Sequence, residues 1–195
     1  MIYLVRHGQS TWNVQRRTQG QLSHPPLTAR GRRQVAAAGA AITADLQAAG
    51  RRVDVFVSSD LLRTRQTAAI LAAGRPVVLD RRLREQHLGR LQGMADDAAA
   101  AATEGVDWTD PDVAIGGGES ARQVHDRMAA VVTAYRDRVA VLVSHGDAVR
   151  HAVGWWDGHE PARGPWVTVR SAAVFVLADP GRHRELVIAG TAPPA

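Results

Sequence analysis

Two apolar runs in this chain each end in a histidine followed by a glycine. In MIYLVRHG the run closes on Arg6, His7 and Gly8, and in VAVLVSHG, at 139–146, it closes on Ser144, His145 and Gly146. An imidazole at the end of a buried strand, with a cation beside it and a flexible backbone behind it, is suited to meet an anion. Two such ends suggest one shared pocket. A neutral imidazole nitrogen can attack phosphorus, and the guanidinium forks of Arg6 and Arg63 can hold phosphoryl oxygens through charge-assisted hydrogen bonds. A carboxyl group near the leaving oxygen can protonate it and then deprotonate the water that attacks the phosphohistidine, which is the part open to Glu85. Phosphoryl transfer is mostly positioning and charge stabilisation, so this set calls for no metal and no cofactor. The sequence also offers no carboxylate cluster to hold a metal.

The elements that must position these groups alternate from end to end. The spacing predicts a helix over 27–49 with Thr28 as N-cap and Val35, Gly39, Ile42 and Leu46 on one face. A buried strand follows over 53–57. Ser58, Ser59 and Asp60 should then cap a helix that ends at Gly74. A short strand at 77–79, a helix at 119–136 and the strand before His145 come next. The last elements are a helix with Asp147 as N-cap and two strands at 172–177 and 185–189. This alternation implies an α/β fold, a three-layer α/β/α sandwich with a mainly parallel central sheet. In such sheets the site lies beyond the carboxyl ends of the strands. Arg6 with His7, Arg63, Glu85 and His145 then reach one edge from four regions of the chain. The stretch 95–118 breaks the rhythm, and is read as a lid-like excursion over the pocket ending in a glycine hinge at 116–118.

At 195 residues the chain has room for one core, so a single domain over 1–195 is expected. No cysteine is present, which excludes disulfides and thiolate metal sites and fits a reducing compartment. The N-terminus runs straight into the histidine motif and no apolar run could span a bilayer, so a cytoplasmic protein without membrane contact is expected. All 24 basic side chains are arginine, but they are scattered in twos and threes, and the formal net charge is only +5. That distribution disfavours a nucleic-acid partner and fits a small phosphorylated metabolite better. Nothing here indicates an oligomeric state.

With these residues in place, the chain resembles the histidine phosphatase superfamily, also called the phosphoglycerate mutase-like family. The likeness rests on RHGQSTWN at 6–13, QG at 19–20, PLTARGRRQ at 26–34, SSDLLRTRQTA at 58–68, LREQHLGRLQG at 83–93, GGES at 117–120 and SHG at 144–146. The ordered set is specific where any one block is weak. The resemblance implies that His7 is the nucleophile that becomes phosphorylated and that Glu85 is the proton donor. It also implies a phosphate pocket of Arg6, Arg63 and His145 with Gly146, completed by Asn13 and the backbone around Gln19 and Gly20.

The same pocket serves hydrolases and mutases. The mutase pattern implied by the family has a tyrosine where this chain has Leu88, an arginine where it has Gln86, and an arginine pair in the covering insertion. Here 95–118 has no arginine and carries Asp96, Asp97, Glu104, Asp107, Asp110 and Asp112. A phosphomonoester hydrolase is therefore expected, with a phosphoglycerate mutase-type transferase and a non-catalytic phosphate-binding module as alternatives. Of the remaining histidines, His24 is a candidate for the pocket mouth, His87 for support of the Glu85 turn, and His125, His151, His159 and His183 are read as structural or exposed. Trp155, Trp156 and Trp166 are read as core or interface, and Trp12 as packing support.

Overall fold

The structure is a computed structural model that describes residues 1–188. Strands β1 (Ile2–Arg6), β2 (Val55–Ser58), β3 (Val77–Leu79), β4 (Ala140–Ser144), β5 (Val174–Asp179) and β6 (Arg182–Glu185) form one six-stranded sheet in the order β3-β2-β4-β1-β5-β6. From β3 to β1 all pairings are parallel, whereas β5 and β6 are antiparallel additions. Helices α1 (Thr11–Val14), α2 (Ala29–Ala48), α3 (Leu62–Ala72), α4 (Asp96–Ala101), α5 (Ala121–Tyr135) and α6 (Gly146–Trp156) complete the chain.

Period-two side-chain alternation explains the three layers. Along β1, Ile2 and Leu4 face a core with Val124, Met128 and Val131 of α5 and Ala148, Val149 and Val153 of α6. Tyr3 and Val5 face the opposite core with Val35, Ile42 and Leu46 of α2 and Ala68 and Ala72 of α3. The central strands are apolar on both faces, as a covered parallel sheet requires.

Several boundaries depart from the sequence reading. Thr28 does cap α2, its Oγ1 accepting from the Gly31 N–H at 2.9 Å. Helix α3, however, has Leu61 at its N-cap with no side-chain cap, because Asp60 is turned toward Arg84 and Ser59 serves elsewhere. At its far end Ala73 already adopts the left-handed conformation, φ 47°, one residue ahead of Gly74. The final strand is Arg182–Glu185, a polar edge strand whose register the Pro180–Gly181 turn sets; of the expected 185–189 strand only Glu185 belongs to it, 186–188 lie outside any strand, and 189 lies outside the described residues. The frayed tail expected after Gly190 also lies outside them.

The turn after β1 is fixed by a close approach of two backbones. A Cβ on Gly8 would lie 2.4 Å from the Gly31 carbonyl oxygen, and one on Gly31 only 2.1 Å from the Gln9 carbonyl oxygen. The first turn of α2 thus rests directly on the loop behind His7. Gly31→Ala forces backbone against backbone and is expected to lower stability by about 3 kcal/mol, at the upper end of ordinary overpacking. A urea unfolding midpoint equal to the parent's would contradict that packing.

Candidate active site

Register brings the two histidines together. Arg6 pairs with Ser144 across the parallel β1–β4 ladder, so the next residue on each strand stands beside the other. The His7 and His145 ring centroids are 5.3 Å apart, edge to face, with His7 2% and His145 0% exposed. The His7 Nδ1 lies 2.7 Å from the Gly8 carbonyl oxygen. A carbonyl only accepts, so Nδ1 carries the proton and Nε2 keeps its lone pair. Burial, reinforced by the charges of Arg63 and Arg6, holds the His7 imidazole well below its ordinary 6.5. Burial acts likewise on His145, with Arg63 the next cause. Both rings are therefore neutral at physiological pH.

His145 is oriented by Ser59, whose Oγ sits 3.0 Å from Nε2, while its Nδ1 is buried with no partner among the described residues. Ser59 follows β2, and its N–H donates to the Val143 carbonyl at 3.0 Å, which sets it beside the end of β4. Ser59 also accepts from the Leu61 N–H at 3.4 Å, and in the tautomer in which its hydroxyl donates to Nε2, His145 carries its proton on the unpartnered Nδ1. Sequence reasoning had made Ser59 a helix cap, and a serine in such a run carries no signal that separates the two roles.

Arg63 is wholly buried in the first turn of α3 and donates to the carbonyl oxygens of Leu22 at 2.8 Å and Gly20 at 2.7 Å. Its Nε has no partner among the described residues. Burial lowers its pKa to about 10, so it stays a cation at neutral pH. Arg6 donates to the Val169 carbonyl at 2.6 Å, and its buried Nε is likewise unpartnered among the described residues. The two guanidiniums, and His145 in its Nδ1-protonated tautomer, thus keep buried donors that the described residues leave unused, an arrangement suited to a multiply charged oxyanion.

Glu85 follows β3 and a short 3₁₀ turn at Arg81–Leu83. Its carboxylate oxygens accept from the backbone N–H groups of Gln86 (3.0 Å), Ala148 (3.1 Å) and Asp147 (3.3 Å). A Cβ on Gly146 would lie 3.6 Å from both Glu85 Oε2 and the Arg6 guanidinium, so the carboxyl, Arg6 and the start of α6 meet at one point. Burial, then the Asp147 carboxylate, push Glu85 above its ordinary 4.5, against the opposing backbone N–H groups. Asp147 is not the N-cap of α6, as the sequence suggested. That position is His145's, and Asp147 lies in the first turn, ion-paired with Arg150.

The strap carrying Glu85 is held by residues that the sequence did not single out. Arg127, in mid α5, donates to the carbonyls of Arg82 (2.7 Å), Arg84 (2.6 Å) and Glu85 (3.0 Å), and Gln21 donates to the Glu85 carbonyl at 3.0 Å. Glu119 accepts from Arg127 and from the His87 N–H, so His87 supports this turn as expected. Nor do the glycines at 116–118 read as a hinge. A Cβ on Gly118 would lie 1.9 Å from the His87 carbonyl oxygen, so the end of the excursion is packed against the strap.

Other expected residues sit where the loop around 10–20 closes. Asn13 is the third residue of α1, and its Oδ1 accepts from the Ser10 N–H at 2.9 Å in a capping box. Gln19 Oε1 is 2.9 Å from Ser10 Oγ. Gly20 gives Arg63 its carbonyl and has φ 49°, with Gln92 Oε1 filling the Cβ position at 2.3 Å. His24 is exposed and packs edge-on against Trp12. Trp155 and Trp156 pack against the core, whereas Trp166 is 77% exposed and stacks on Arg150, contrary to the core reading. Among the described residues no group of three or more His, Asp or Glu is arranged to hold a metal ion, and no helix is long and apolar enough to cross a membrane.

Comparison with known proteins agrees with this geometry. The chain is 40% identical over 159 residues to a probable phosphoglycerate mutase of Klebsiella pneumoniae, covering 76% of this chain and 70% of the relative. Among solved structures it matches a mycobacterial glucosyl-3-phosphoglycerate phosphatase at 32% identity and TM-score 0.73, over 89% of this chain and 87% of that one. It also matches the protein YhfR of Bacillus stearothermophilus at 27% identity and TM-score 0.75, over 98% and 97% of the two chains. The sequence profile of the histidine phosphatase superfamily, branch 1, fits residues 2–189. The chain belongs to that superfamily.

Proposed function

We propose that this protein is a phosphomonoester hydrolase that works through a phosphohistidine on His7 and needs no metal. The observation that carries this reading is a neutral imidazole whose Nε2 keeps its lone pair, beside the buried Arg6 Nε, Arg63 Nε and His145 Nδ1, none of which has a partner among the described residues. Nε2 attacks phosphorus as the bond to the leaving oxygen breaks, and that oxygen takes the proton of Glu85. The Nδ1 proton, bonded to the Gly8 carbonyl, stabilises the positive charge that the phosphorylated ring acquires. Glu85, now a carboxylate, removes a proton from water as the water oxygen attacks phosphorus. The P–N bond breaks, and phosphate and the neutral ring are regenerated. Arg6 and Arg63 supply the charge stabilisation, and Asn13, Gln19, Gly20 and Gly146 shape the wall around them.

Water as acceptor is supported by the surroundings of the site. The excursion brings two carboxylates, Asp107 and Asp110, to the neighbouring cavity and no cation. The one guanidinium lining that cavity, Arg150, is already paired with Asp147. A second phosphate would find no free arginine there. The relatives include both a probable phosphoglycerate mutase and a phosphatase, so the decisive assay supplies 3-phosphoglycerate with catalytic bisphosphoglycerate in excess EDTA. Release of inorganic phosphate without 2-phosphoglycerate is expected if these compounds are accepted, and p-nitrophenyl phosphate turnover should be unchanged by the chelator. Interconversion of the two phosphoglycerates without phosphate release, or activity restored only by added metal, would refute the proposal.

The pH profile gives an independent check. Glu85 acts as a protonated acid, and Asp147 is one cause of its raised pKa, so activity is lost as pH rises through that value. In Asp147→Asn the repelling charge is gone and Glu85 releases its proton at lower pH. The alkaline limb of kcat/KM is therefore expected to move toward acid. A limb that stays in place or moves toward alkali would separate Asp147 from the acid group.

A further inference from the structure

A cavity of about 430 Å³, lined in part by Gln86, opens next to the turn that carries Glu85 and is within the size range of small-molecule pockets. Two of its lining residues, Gln86 and Asp147, supply two of the three N–H groups that cradle the Glu85 carboxylate. None of His7, Arg6, Arg63, Glu85 or His145 lines the cavity, so it adjoins the phosphate site, and a substituent on the oxygen that Glu85 protonates can extend into it past Gln86 and Asp147. The cavity wall is mostly apolar, and it includes two of the few large hydrophobic side chains that the fold leaves exposed, Trp108 at 61% and Trp166 at 77%. Trp166 is not loose, because the Arg150 guanidinium stacks 3.7 Å from its ring centre.

Charge in the same cavity is one-sided. Asp107, Asp110, Asp147 and Glu160 line it against the one guanidinium, Arg150, and the imidazoles of His125, His151 and His159. His151 does not redress this, since burial lowers its pKa to about 4 and keeps it neutral. Indole faces attract apolar rings and cations, and the carboxylates repel anions.

We propose that the physiological substrate is a phosphomonoester of an aromatic alcohol whose far end is neutral or positively charged, with Trp108 and Trp166 holding the ring and Asp107, Asp110 and Glu160 selecting against a second anionic group. This rests on the hydrolase reading above and names the substrate class for that same site.

The test uses three phenyl phosphates substituted at the 4-position with 2-aminoethyl, propyl or 2-carboxyethyl. Two methylenes separate the terminal group from the ring, so the leaving group is nearly the same in all three. The corresponding benzylphosphonates, which cannot be hydrolysed, report binding by tryptophan fluorescence. The ammonium and propyl compounds are expected to exceed the carboxylate by about tenfold or more in kcat/KM and in phosphonate affinity, as one unscreened charge contact would give. The triple variant Asp107→Asn, Asp110→Asn, Glu160→Gln should close most of that gap. Trp166→Ala should raise KM for all three while kcat changes little. Equal affinities for the three phosphonates, or tightest binding of the carboxylate, would overturn the inference even if all three phosphates are hydrolysed. Graded phosphonate binding without phosphate release would support it while defeating the hydrolase reading.

Discussion

Replacing His7 by alanine is expected to lower kcat/KM for any phosphomonoester by on the order of 10⁴-fold or more, the scale seen when a covalent nucleophile is deleted. No neighbouring group can take over. His145 lies next to it, but its Nε2 is engaged by Ser59, and its Nδ1 carries the proton in the tautomer in which Ser59 donates to Nε2. The guanidiniums of Arg6 and Arg63 are cations and cannot attack. The donors around the phosphate remain in the variant, so phosphate or vanadate should still bind while turnover is lost. Unfolding midpoints of parent and variant should be compared, because His7 is buried between the two strand ends. A folded variant that keeps more than a tenth of the parent rate would remove His7 from the reaction.

Glu85→Gln preserves the shape of the carboxyl and removes its proton chemistry. Its effect should depend on the leaving group. An alkyl phosphate must expel a poor alkoxide, so its phosphorylation step should slow by roughly 100-fold or more, the usual scale of general acid catalysis. With p-nitrophenyl phosphate the phenolate leaves unaided, and single-turnover phosphorylation should slow far less. Equal slowing of both substrates would exclude Glu85 as the acid and leave it a positioning residue.

Much of this was legible in the sequence because the signals were local. Apolar runs ending in Arg6–His7 and Ser144–His145 mark strand ends, and helical spacing from Val35 to Leu46 marks the covering helix, so the two histidines could be assigned to one sheet edge without coordinates. Pairing register could not be read. That Arg6 stands opposite Ser144 depends on which strands are neighbours, a property of the whole fold. Caps were misjudged where a polar residue had another partner, distant for Ser59 with His145 and Asp60 with Arg84, and one turn along the helix for Asp147 with Arg150. Strand β6 was misplaced because Arg182–Glu185 is polar, and the apolar residues after it attracted the assignment. The strap behind Glu85 was invisible for a further reason. Arg127 works by donating to three backbone carbonyls, and a carbonyl leaves no trace in residue type.

The most direct measurement is the chemical identity of the phosphorylated enzyme. Purified protein mixed with labelled phosphomonoester, quenched in base within milliseconds, digested and mapped by mass spectrometry, should carry the label on the peptide containing His7. The bond should be labile in acid, stable in base and absent from His7→Ala. Label on another residue, an acid-stable ester, or undiminished label in His7→Ala would contradict the mechanism.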